Sequence, residues 1–315
     1  MHQRPKSDLS NKSYVSIDSL TVKTIQELFT LADKIRTLSF TQTSKILKGK
    51  LVTLLFFEPS SRTFSSFAAA VKKLGGMTIE YQNPLQTSSS IKGETLEDAV
   101  RVFESYSDAI VMRHFEKGAL QRAADAASIP VINAGDGIGE HPTQALLDGY
   151  TIQRKRKSLS GLTGVMAGDL LNGRTVHSLL KLLSLYKNNT IYLLSPKQLQ
   201  LEKIFFNEIQ KKGIRLIEIS SQKEIPTTAD FWYWTRVQKE RFADEDEYKK
   251  LKNAFVVTSK LLAEKGNKKM ILMHPLPRVG EIEESLDSDP RSVYLGDQVK
   301  NGLYIRMALL NLILG

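Results

Sequence analysis

Cysteine is absent from this sequence of 315 residues, and its absence excludes several kinds of chemistry. Without a thiol the chain forms no disulfide, offers no thiolate to zinc or an iron–sulfur cluster, and has no cysteine nucleophile. This does not fix the compartment, because secreted proteins without disulfides exist. The first ten residues are polar and lack the apolar segment of a secretory signal, so we expect a cytoplasmic protein.

Long hydrophobic runs are also missing. The longest, residues 51–57 and 303–314, are shorter than the roughly 20 residues that a membrane-spanning helix needs, so we expect no membrane partner. The sequence has neither a Gly-x-x-x-x-Gly-Lys-Ser/Thr loop nor a Gly-x-Gly-x-x-Gly fingerprint. Nucleotide-binding motifs of these two kinds are therefore unsupported.

Acidic residues are the scarcer charged class, with 34 Asp and Glu against 44 Lys and Arg, which gives a net charge of +10. Such a surplus suits nucleic acid, an anionic membrane surface or small anionic substrates. No basic stripe interleaved with aromatic residues supports a nucleic-acid partner. The length suggests about two domains, and 41% apolar residues supply a sizeable core.

Apolar runs alternate with amphipathic stretches along most of the chain. The expected strands are residues 51–57, 77–81, 109–112, 130–133, 164–167, 190–194, 215–219, 231–234, 255–257 and 270–273. The expected helices are residues 61–74, 95–105, 118–127, 142–154, 174–186, 201–212 and 299–313. This alternation predicts the α/β class, with two successive three-layer domains of mostly parallel sheet, linked by helices. The charged stretch 153–158 is the expected crossing point between them.

A phosphate-binding pattern follows the first expected strand. Residues 59–63, Pro-Ser-Ser-Arg-Thr, precede a helix whose first N–H groups and dipole favour an anion. The hydroxyl groups and the Arg62 guanidinium match phosphate oxygens. On spacing alone, an ordinary capped helix start with a surface arginine fits equally well.

Four further strands are followed by residues that bind anions or donate hydrogen bonds. These segments are residues 112–114, 168–175, 235–238 and 274–278, and the glycine-rich turn 135–139 leads to a fifth at 141–144. In open parallel sheets ligands bind beyond the carboxyl ends of the strands. The pattern favours a site for a small polyanionic ligand.

These motifs together resemble the aspartate and ornithine carbamoyltransferase family. Phe57-Glu58-Pro59-Ser60-Ser61-Arg62-Thr63 with Ser66-Phe67 is similar to its carbamoyl-phosphate motif, and His141-Pro142-Thr143-Gln144 with Leu147-Asp148 to its second motif. Residues 169–178, 235–241 and 274–278 are similar to the aspartate branch. Ornithine enzymes typically have cysteine in the third motif, where this chain has Pro275.

The resemblance implies transfer of the carbamoyl group of carbamoyl phosphate to L-aspartate, giving N-carbamoyl-L-aspartate and phosphate in pyrimidine synthesis. It implies a carbamoyl-phosphate domain over residues 1–150, with a C-terminal helix at about 299–315 packing back on it, and an aspartate domain over 151–298. It also implies a homotrimer with active sites shared between subunits, and no cofactor or metal. Whether regulatory chains join the trimer stays open.

The resemblance also carries residue roles. Catalysis falls to Arg62, Thr63, Arg113 and His141. The donors of Thr63, Arg113 and His141 stabilise charge on the carbonyl oxygen, and Arg62 helps to hold the phosphate. Carbamoyl phosphate is bound by Ser60, Ser61, Arg62, Thr63, Arg113, His141, Gln144, Pro275 and Leu276, with Ser88 and Lys92 of the neighbouring subunit. Aspartate is bound by Arg113, Arg174, Arg236, Gln238, Pro275 and Leu276, with Lys92 of the neighbouring subunit. His274 is expected to help shape the loop that presents Pro275 and Leu276.

The sequence also leaves alternative functions open. A carbamoyltransferase for ornithine or an acylated derivative is the closest, although an amino-terminated side chain would call for an acidic partner in place of Arg174 or Arg236. A catalytically silent scaffold is less favoured, because every proposed ligand is present. Phe64 and Gly280 depart from the residues common in the family and are expected to affect affinity or domain closure.

Overall fold

The computed structural model describes residues 7–83, 93–237 and 255–315. The chain divides into unit 1, residues 1–147 with 300–315, and unit 2, residues 148–299. Over the described ranges, no helix is both long and apolar enough to cross a membrane.

Unit 1 contains a parallel sheet whose spatial order is β2-β1-β3-β4. Its strands are β1 (Leu51–Phe56), β2 (Met77–Gln82), β3 (Ala109–His114) and β4 (Val131–Asp136). The central strand β1 is an almost uninterrupted apolar run, as expected of a parallel strand covered on both faces. Its Val52 is paired with Ala109 of β3 and with Thr78 of β2.

The helices that begin in unit 1 are α1 (Val22–Thr37), α2 (Phe40–Thr43), α3 (Ser61–Lys73), α4 (Leu96–Glu104), α5 (Ala119–Ala126) and α6 (Pro142–Arg156). The expected cap of α4 is present, since the Thr95 hydroxyl accepts a hydrogen bond from the Asp98 N–H at 3.1 Å. A short 3₁₀ helix, Ile17–Ser19, precedes α1. The apolar faces of α4 and α5 pack with residues of β1 and β3 in one buried cluster.

Unit 2 contains a parallel sheet of spatial order β7-β6-β5-β8-β9. Its strands are β5 (Thr163–Ala167), β6 (Thr190–Leu194), β7 (Arg215–Ile219), β8 (Phe231–Trp234) and β9 (Ile271–Met273). The helices of this unit are α7 (Arg174–Ser184), α8 (Lys203–Lys211) and α9 (Ser259–Lys265), with 3₁₀ helices at Lys197–Leu199, Gln222–Glu224 and Glu284–Ser288. Helix α10 (Asp297–Leu314) begins at the end of unit 2, and its residues from Lys300 onwards belong to unit 1. The core of this unit is built around Trp232 and Trp234, which are fully buried.

In each sheet the chain adds strands first on one side of its starting strand and then on the other side. We call the position between the starting strand and the first strand added on the other side the reversal point. In unit 1 that point lies between β1 and β3, and in unit 2 between β5 and β8. At such a point the two neighbouring strands are followed by connections that run to opposite sides of the sheet. This arrangement creates a crevice beyond the carboxyl ends of the two strands. Ligands of open α/β sheets bind in such crevices.

The α/β class with two parallel sheets is confirmed, but some local predictions were wrong. Residues 255–257 form no strand: Val257 makes only an isolated bridge with Ile282, through its N–H bond to the Glu281 carbonyl. Most of the charged stretch expected as a crossing point lies inside α6, and the boundary between the units falls earlier in that helix. Helices α1, α2 and α9 were missed.

Candidate active site

The turn from β1 into α3 carries the phosphate pattern of unit 1. Ser60 occupies the N-cap position of α3, but its hydroxyl does not bond the first-turn N–H groups. Thr63 is buried, whereas Ser61 and Arg62 are exposed. Partial desolvation lowers the pKa of the Arg62 guanidinium, which still remains charged. This helix start therefore presents backbone N–H groups, hydroxyls and a cation together.

Arg113 is the penultimate residue of β3, directly across the reversal point from β1, and is buried. Its Nη2 lies 2.8 Å from Oε2 of Glu58, which belongs to the same phosphate motif. Space for the guanidinium comes from Gly135, where an added Cβ would lie 2.9 Å from Nη1. The structure thus brings Arg113 and the β1–α3 turn together at adjacent strand ends.

His141 and Gln144 lie at the start of α6, after the last strand of the unit 1 sheet. Pro142 takes the first helical position, which suits its missing N–H, and the His141 carbonyl accepts from the Ala145 N–H at 3.2 Å. Both His141 and Gln144 are buried. The preceding residue, Glu140, accepts hydrogen bonds from the Ser16 hydroxyl at 2.8 Å and the Ile17 N–H at 3.0 Å, so the N-terminal segment fixes this turn.

The C-terminal helix α10 supports α3 from within unit 1. Arg306 is buried, donates to the Ser66 hydroxyl at 3.0 Å and lies over the Phe67 ring at 5.1 Å. Phe64, one of the departures from the family pattern, packs edge-on against Phe56 with ring centroids 5.1 Å apart. The aromatic ring of Phe64 therefore belongs to the core beside the β1–α3 turn.

In unit 2 the two expected carboxylate-binding arginines flank the reversal point of the sheet. Arg174 begins α7, in the connection that leaves β5, and Arg236 follows β8. Both are half-buried. Gly168 allows these connections to approach closely, because an added Cβ would lie 2.2 Å from the Thr235 carbonyl oxygen. Arg236 lines a small pocket with Thr235 and Glu281.

Pro275 and Leu276 follow β9, the strand next to β8, and are half-buried. Leu276 has a φ of +57°, in the left-handed region that residues other than glycine rarely adopt. Such conformations cost of order 1–3 kcal/mol and persist where the surroundings hold them, often at functional sites. Of the remaining expected residues, Ser88, Lys92 and Gln238 lie outside the described residues.

Comparison with protein families gives two consecutive matches that cover nearly the whole chain. The carbamoyl-phosphate-binding domain of aspartate/ornithine carbamoyltransferases matches residues 12–154, and the aspartate/ornithine-binding domain of the same enzymes matches residues 160–313. The chain belongs to the aspartate/ornithine carbamoyltransferase family.

Similar members of this family are named as enzymes of the aspartate branch. The chloroplastic aspartate carbamoyltransferase of Arabidopsis thaliana is 50% identical over 272 residues, which are 86% of this chain and 69% of that protein. The multifunctional protein CAD of Squalus acanthias is 45% identical over 302 residues. Those residues are 96% of this chain but only 13% of the larger protein.

Solved structures of the carbamoyltransferase family share the fold. Aspartate transcarbamoylase from Trypanosoma cruzi, in complex with carbamoyl phosphate and aspartate, superposes with a TM-score of 0.90 at 38% identity over 99% of each chain. The catalytic subunit of aspartate transcarbamoylase from M. jannaschii gives a TM-score of 0.88 at 41% identity, over 95% of this chain and 97% of that one.

Sequence reasoning missed several supporting residues of this carbamoyltransferase. Glu58 stood inside a quoted motif, but its ion pair with Arg113 joins two strands far apart in sequence. Gly135 was assigned to the turn 135–139, outside the expected strand 130–133, and only the structure places it within β4. Arg306 and Glu281 lie outside the strand-end pattern, and only the tertiary contacts reveal them.

Proposed function

We propose that this chain is an aspartate carbamoyltransferase, which transfers the carbamoyl group of carbamoyl phosphate to the amine of L-aspartate. The observation that carries the proposal is the chemistry of the two reversal points. The unit 1 crevice gathers a helix N-terminus, hydroxyl groups and arginines, as a phosphate requires, and the unit 2 crevice gathers two arginines, as a dicarboxylate requires. The names of the relatives support the same reading.

Carbamoyl phosphate binds unit 1 in this proposal. Its phosphate accepts hydrogen bonds from Ser60, Ser61, Arg62 and Thr63, and Arg113 reaches both phosphate and carbonyl oxygens. His141 donates to the carbonyl oxygen, while Gln144 and the backbone carbonyls of Pro275 and Leu276 accept from the carbamoyl amide. Ser88 and Lys92 of a neighbouring subunit complete the phosphate site.

Aspartate binds through its two carboxylates. Arg174 and Arg236 each offer a planar fork that pairs with a carboxylate through two N–H groups, and Gln238 supports them. An amine substrate with a cationic side chain would meet like charges here. This charge pattern, together with Pro275 in the third motif, favours aspartate over ornithine.

The reaction needs no covalent enzyme intermediate. The uncharged amine of aspartate attacks the carbonyl carbon, negative charge develops on the carbonyl oxygen, and Thr63, Arg113 and His141 stabilise it. The bond to phosphate oxygen then breaks, and the departing phosphate takes the proton from the attacking nitrogen. Orientation and electrostatic stabilisation supply most of the acceleration.

The assembly proposed with this function is a homotrimer with shared active sites, in the cytoplasm, although the plant relatives are named chloroplastic. Mass measurement in solution, with and without a bisubstrate ligand, tests the trimer and reveals any regulatory chains.

A substrate panel tests the specificity. The purified chain is assayed with saturating carbamoyl phosphate and L-aspartate, L-ornithine or N-acetyl-L-ornithine. We expect phosphate release with L-aspartate and none with the other two amines. Release with ornithine alone would overturn the assignment, and no release with any amine would identify the chain as a silent relative.

A further inference from the structure

His274, in the loop after β9, is held at three of its atoms by residues of unit 2. Its backbone N–H donates to Oε1 of Gln298 at 3.1 Å, and its Nδ1 accepts from the Leu276 N–H at 2.8 Å. Its Nε2 lies 2.6 Å from Oε1 of Glu281. His274 is only 2% exposed, so water does not compete for these positions.

These contacts assign the proton of the imidazole ring. Nδ1 faces an N–H group, so it carries the lone pair and acts as acceptor. The ring proton of a neutral imidazole therefore resides on Nε2, the atom that lies 2.6 Å from Oε1 of Glu281. A carboxylate that binds one ring nitrogen fixes the role of the other, as in the outer shells of many functional sites.

Glu281 is suited to this role because its carboxylate is itself fixed. Its second oxygen, Oε2, accepts from the Val279 N–H at 2.8 Å, and the residue is 5% exposed. Burial opposes its ionisation, but the bonds from His274 and Val279 hold the pKa of Glu281 below its usual range. Gly280, with a φ of +98°, provides the left-handed turn between Val279 and Glu281.

A buried polar chain fixes the backbone of His274 from the other side. Nε2 of Gln298 donates to Oδ1 of Asp148 at 2.7 Å, which turns the amide oxygen of Gln298 towards the His274 N–H. The Tyr233 hydroxyl donates to Oδ2 of the same carboxylate at 2.8 Å. Asp148 is completely buried, so this orientation is strongly specified.

The hydrogen bond to Leu276 has a geometric consequence for the preceding carbonyl group. The N–H of Leu276 and the C=O of Pro275 belong to one trans peptide and point in opposite directions. Holding that N–H against Nδ1 of His274 therefore directs the Pro275 carbonyl away from the ring. It also restrains Leu276, whose φ of +57° needs support from its surroundings.

We propose that His274 and Glu281 are positioning residues for the carbamoyl-transfer site: Glu281 holds His274 as the Nε2–H tautomer, so that Nδ1 fixes the Pro275–Leu276 peptide and aims its carbonyl at the substrate amide. The inference rests on the proposed function, because the acceptor role of these carbonyls belongs to it. Neither side chain touches the reacting atoms.

A matched pair of variants at residue 274 separates positioning from packing. His274→Phe keeps a ring without an acceptor, whereas His274→Asn offers a side-chain oxygen that can accept from an N–H two residues on. Both lose the contact with Glu281 and are assayed well below their melting temperatures. We expect kcat/KM for carbamoyl phosphate to fall about 100-fold in His274→Phe. In His274→Asn we expect kcat/KM to be about tenfold or more above the value of His274→Phe.

Three outcomes would overturn the proposal. One is a folded His274→Phe variant with kcat/KM within about twofold of wild type, far from the loss expected for a misplaced group. Another is a folded His274→Asn variant that is no better than His274→Phe. The third comes from the wild-type protein labelled with ¹⁵N-histidine, if NMR assigns the His274 proton to Nδ1 rather than Nε2.

The NMR measurement needs neither a folded variant nor carbamoyl transfer. If wild type transfers no carbamoyl group, the proposed function fails, and the tautomer still decides the geometry at His274. Glu281→Gln keeps an oxygen that accepts from Nε2–H, so we expect the tautomer to persist in it. A switch to Nδ1–H in Glu281→Gln would contradict the role given to this side chain.

Discussion

Arg113 Nη2 lies 2.8 Å from Oε2 of Glu58, so a carboxylate of the phosphate motif holds the guanidinium that is proposed to meet the substrate carbonyl. The Arg113 side chain is 9% exposed and that of Glu58 is 34% exposed, so the pair lies at the inner edge of the crevice. A guanidinium has five N–H donors, and Nη1 of Arg113 also donates to the Ala134 carbonyl, at 3.5 Å.

Gly135 tests the placement of Arg113. In Gly135→Ala the new Cβ would lie 2.9 Å from Nη1, so the flexible end of Arg113 must move. We expect kcat/KM for carbamoyl phosphate to fall about 10- to 100-fold, because a small misplacement of a catalytic group is costly. Gly49→Ala is the matched control: it also has a positive φ, +81°, but no atom within 4 Å. Steady-state kinetics that show equal effects at both positions would reject this explanation.

Arg62 tests the phosphate site. Arg62→Ala removes the cation from the start of α3, and we expect turnover to fall by roughly 10²–10³ or more. Arg62→Lys restores the charge without the fork and should recover only part of the loss. Arg101→Ala, on the exposed face of α4, is the control and should keep wild-type rates. Near-normal turnover in Arg62→Ala would remove this residue from the mechanism.

Arg236 tests the aspartate site separately. Arg236→Ala should raise the KM for aspartate by about 10- to 100-fold. This range corresponds to the loss of one hydrogen bond to a charged group, which contributes about 1.5–3 kcal/mol. Binding of carbamoyl phosphate, measured by calorimetry, should stay nearly unchanged. Arg215→Ala, at the start of β7 and so at the opposite end of a strand, is the control. Loss of carbamoyl phosphate binding with retention of aspartate binding would show the assignment to be wrong.

Asp108 gives a prediction for pH. Burial opposes its ionisation, but hydrogen bonds from Lys50 Nζ and the Leu51 N–H, both at 2.8 Å, hold its pKa below the usual value. Because the folded pKa is the lower one, the stabilisation is present above the unfolded pKa of about 3.9 and is lost as the pH falls through the folded pKa.

Urea denaturation of Asp108→Asn checks this sign. We expect the free energy of unfolding to fall by about 1 kcal/mol at pH 7, a value reduced for partial solvent exposure, and the difference from wild type to shrink below about pH 4. Glu264→Gln is the control, because it removes an exposed ion pair in which Glu264 Oε1 lies 3.9 Å from Lys260 Nζ. It should change the free energy of unfolding by less than about 0.5 kcal/mol. A difference for Asp108→Asn that grows in acid would show that the pKa of Asp108 is not lowered in the folded protein.

Much of the fold could be predicted because local pattern and tertiary environment agree. Strands β6, β7 and β8 have the predicted bounds, since each is a short run with buried residues between clear breaks. Helix α1 was within reach, because its buried Ile25, Leu28, Phe29 and Ala32 have helical spacing. Residues 255–257 have the composition of a strand, but Val257 finds its partner outside the sheet.

The candidate site was predictable only where it follows the strand ends. Arginines and hydroxyls after β1, β3, β5 and β8 could be placed in sequence, because parallel strands end at one edge of a sheet. The contacts that orient them could not. Two such contacts are those of Glu58 with Arg113 and of Glu281 with His274. They depend on the paths of loops in the folded chain, which the periodicity of the sequence does not predict.

Transfer of an isotope-labelled carbamoyl group is the decisive test of whether this chain carbamoylates L-aspartate. The chain is incubated with ¹³C-labelled carbamoyl phosphate and L-aspartate, and product and phosphate are quantified by NMR. We expect labelled N-carbamoyl-L-aspartate and phosphate in equal amounts, with loss of both in Arg62→Ala. Phosphate release without labelled N-carbamoyl-L-aspartate, or no turnover at saturating substrates, would contradict the proposed activity.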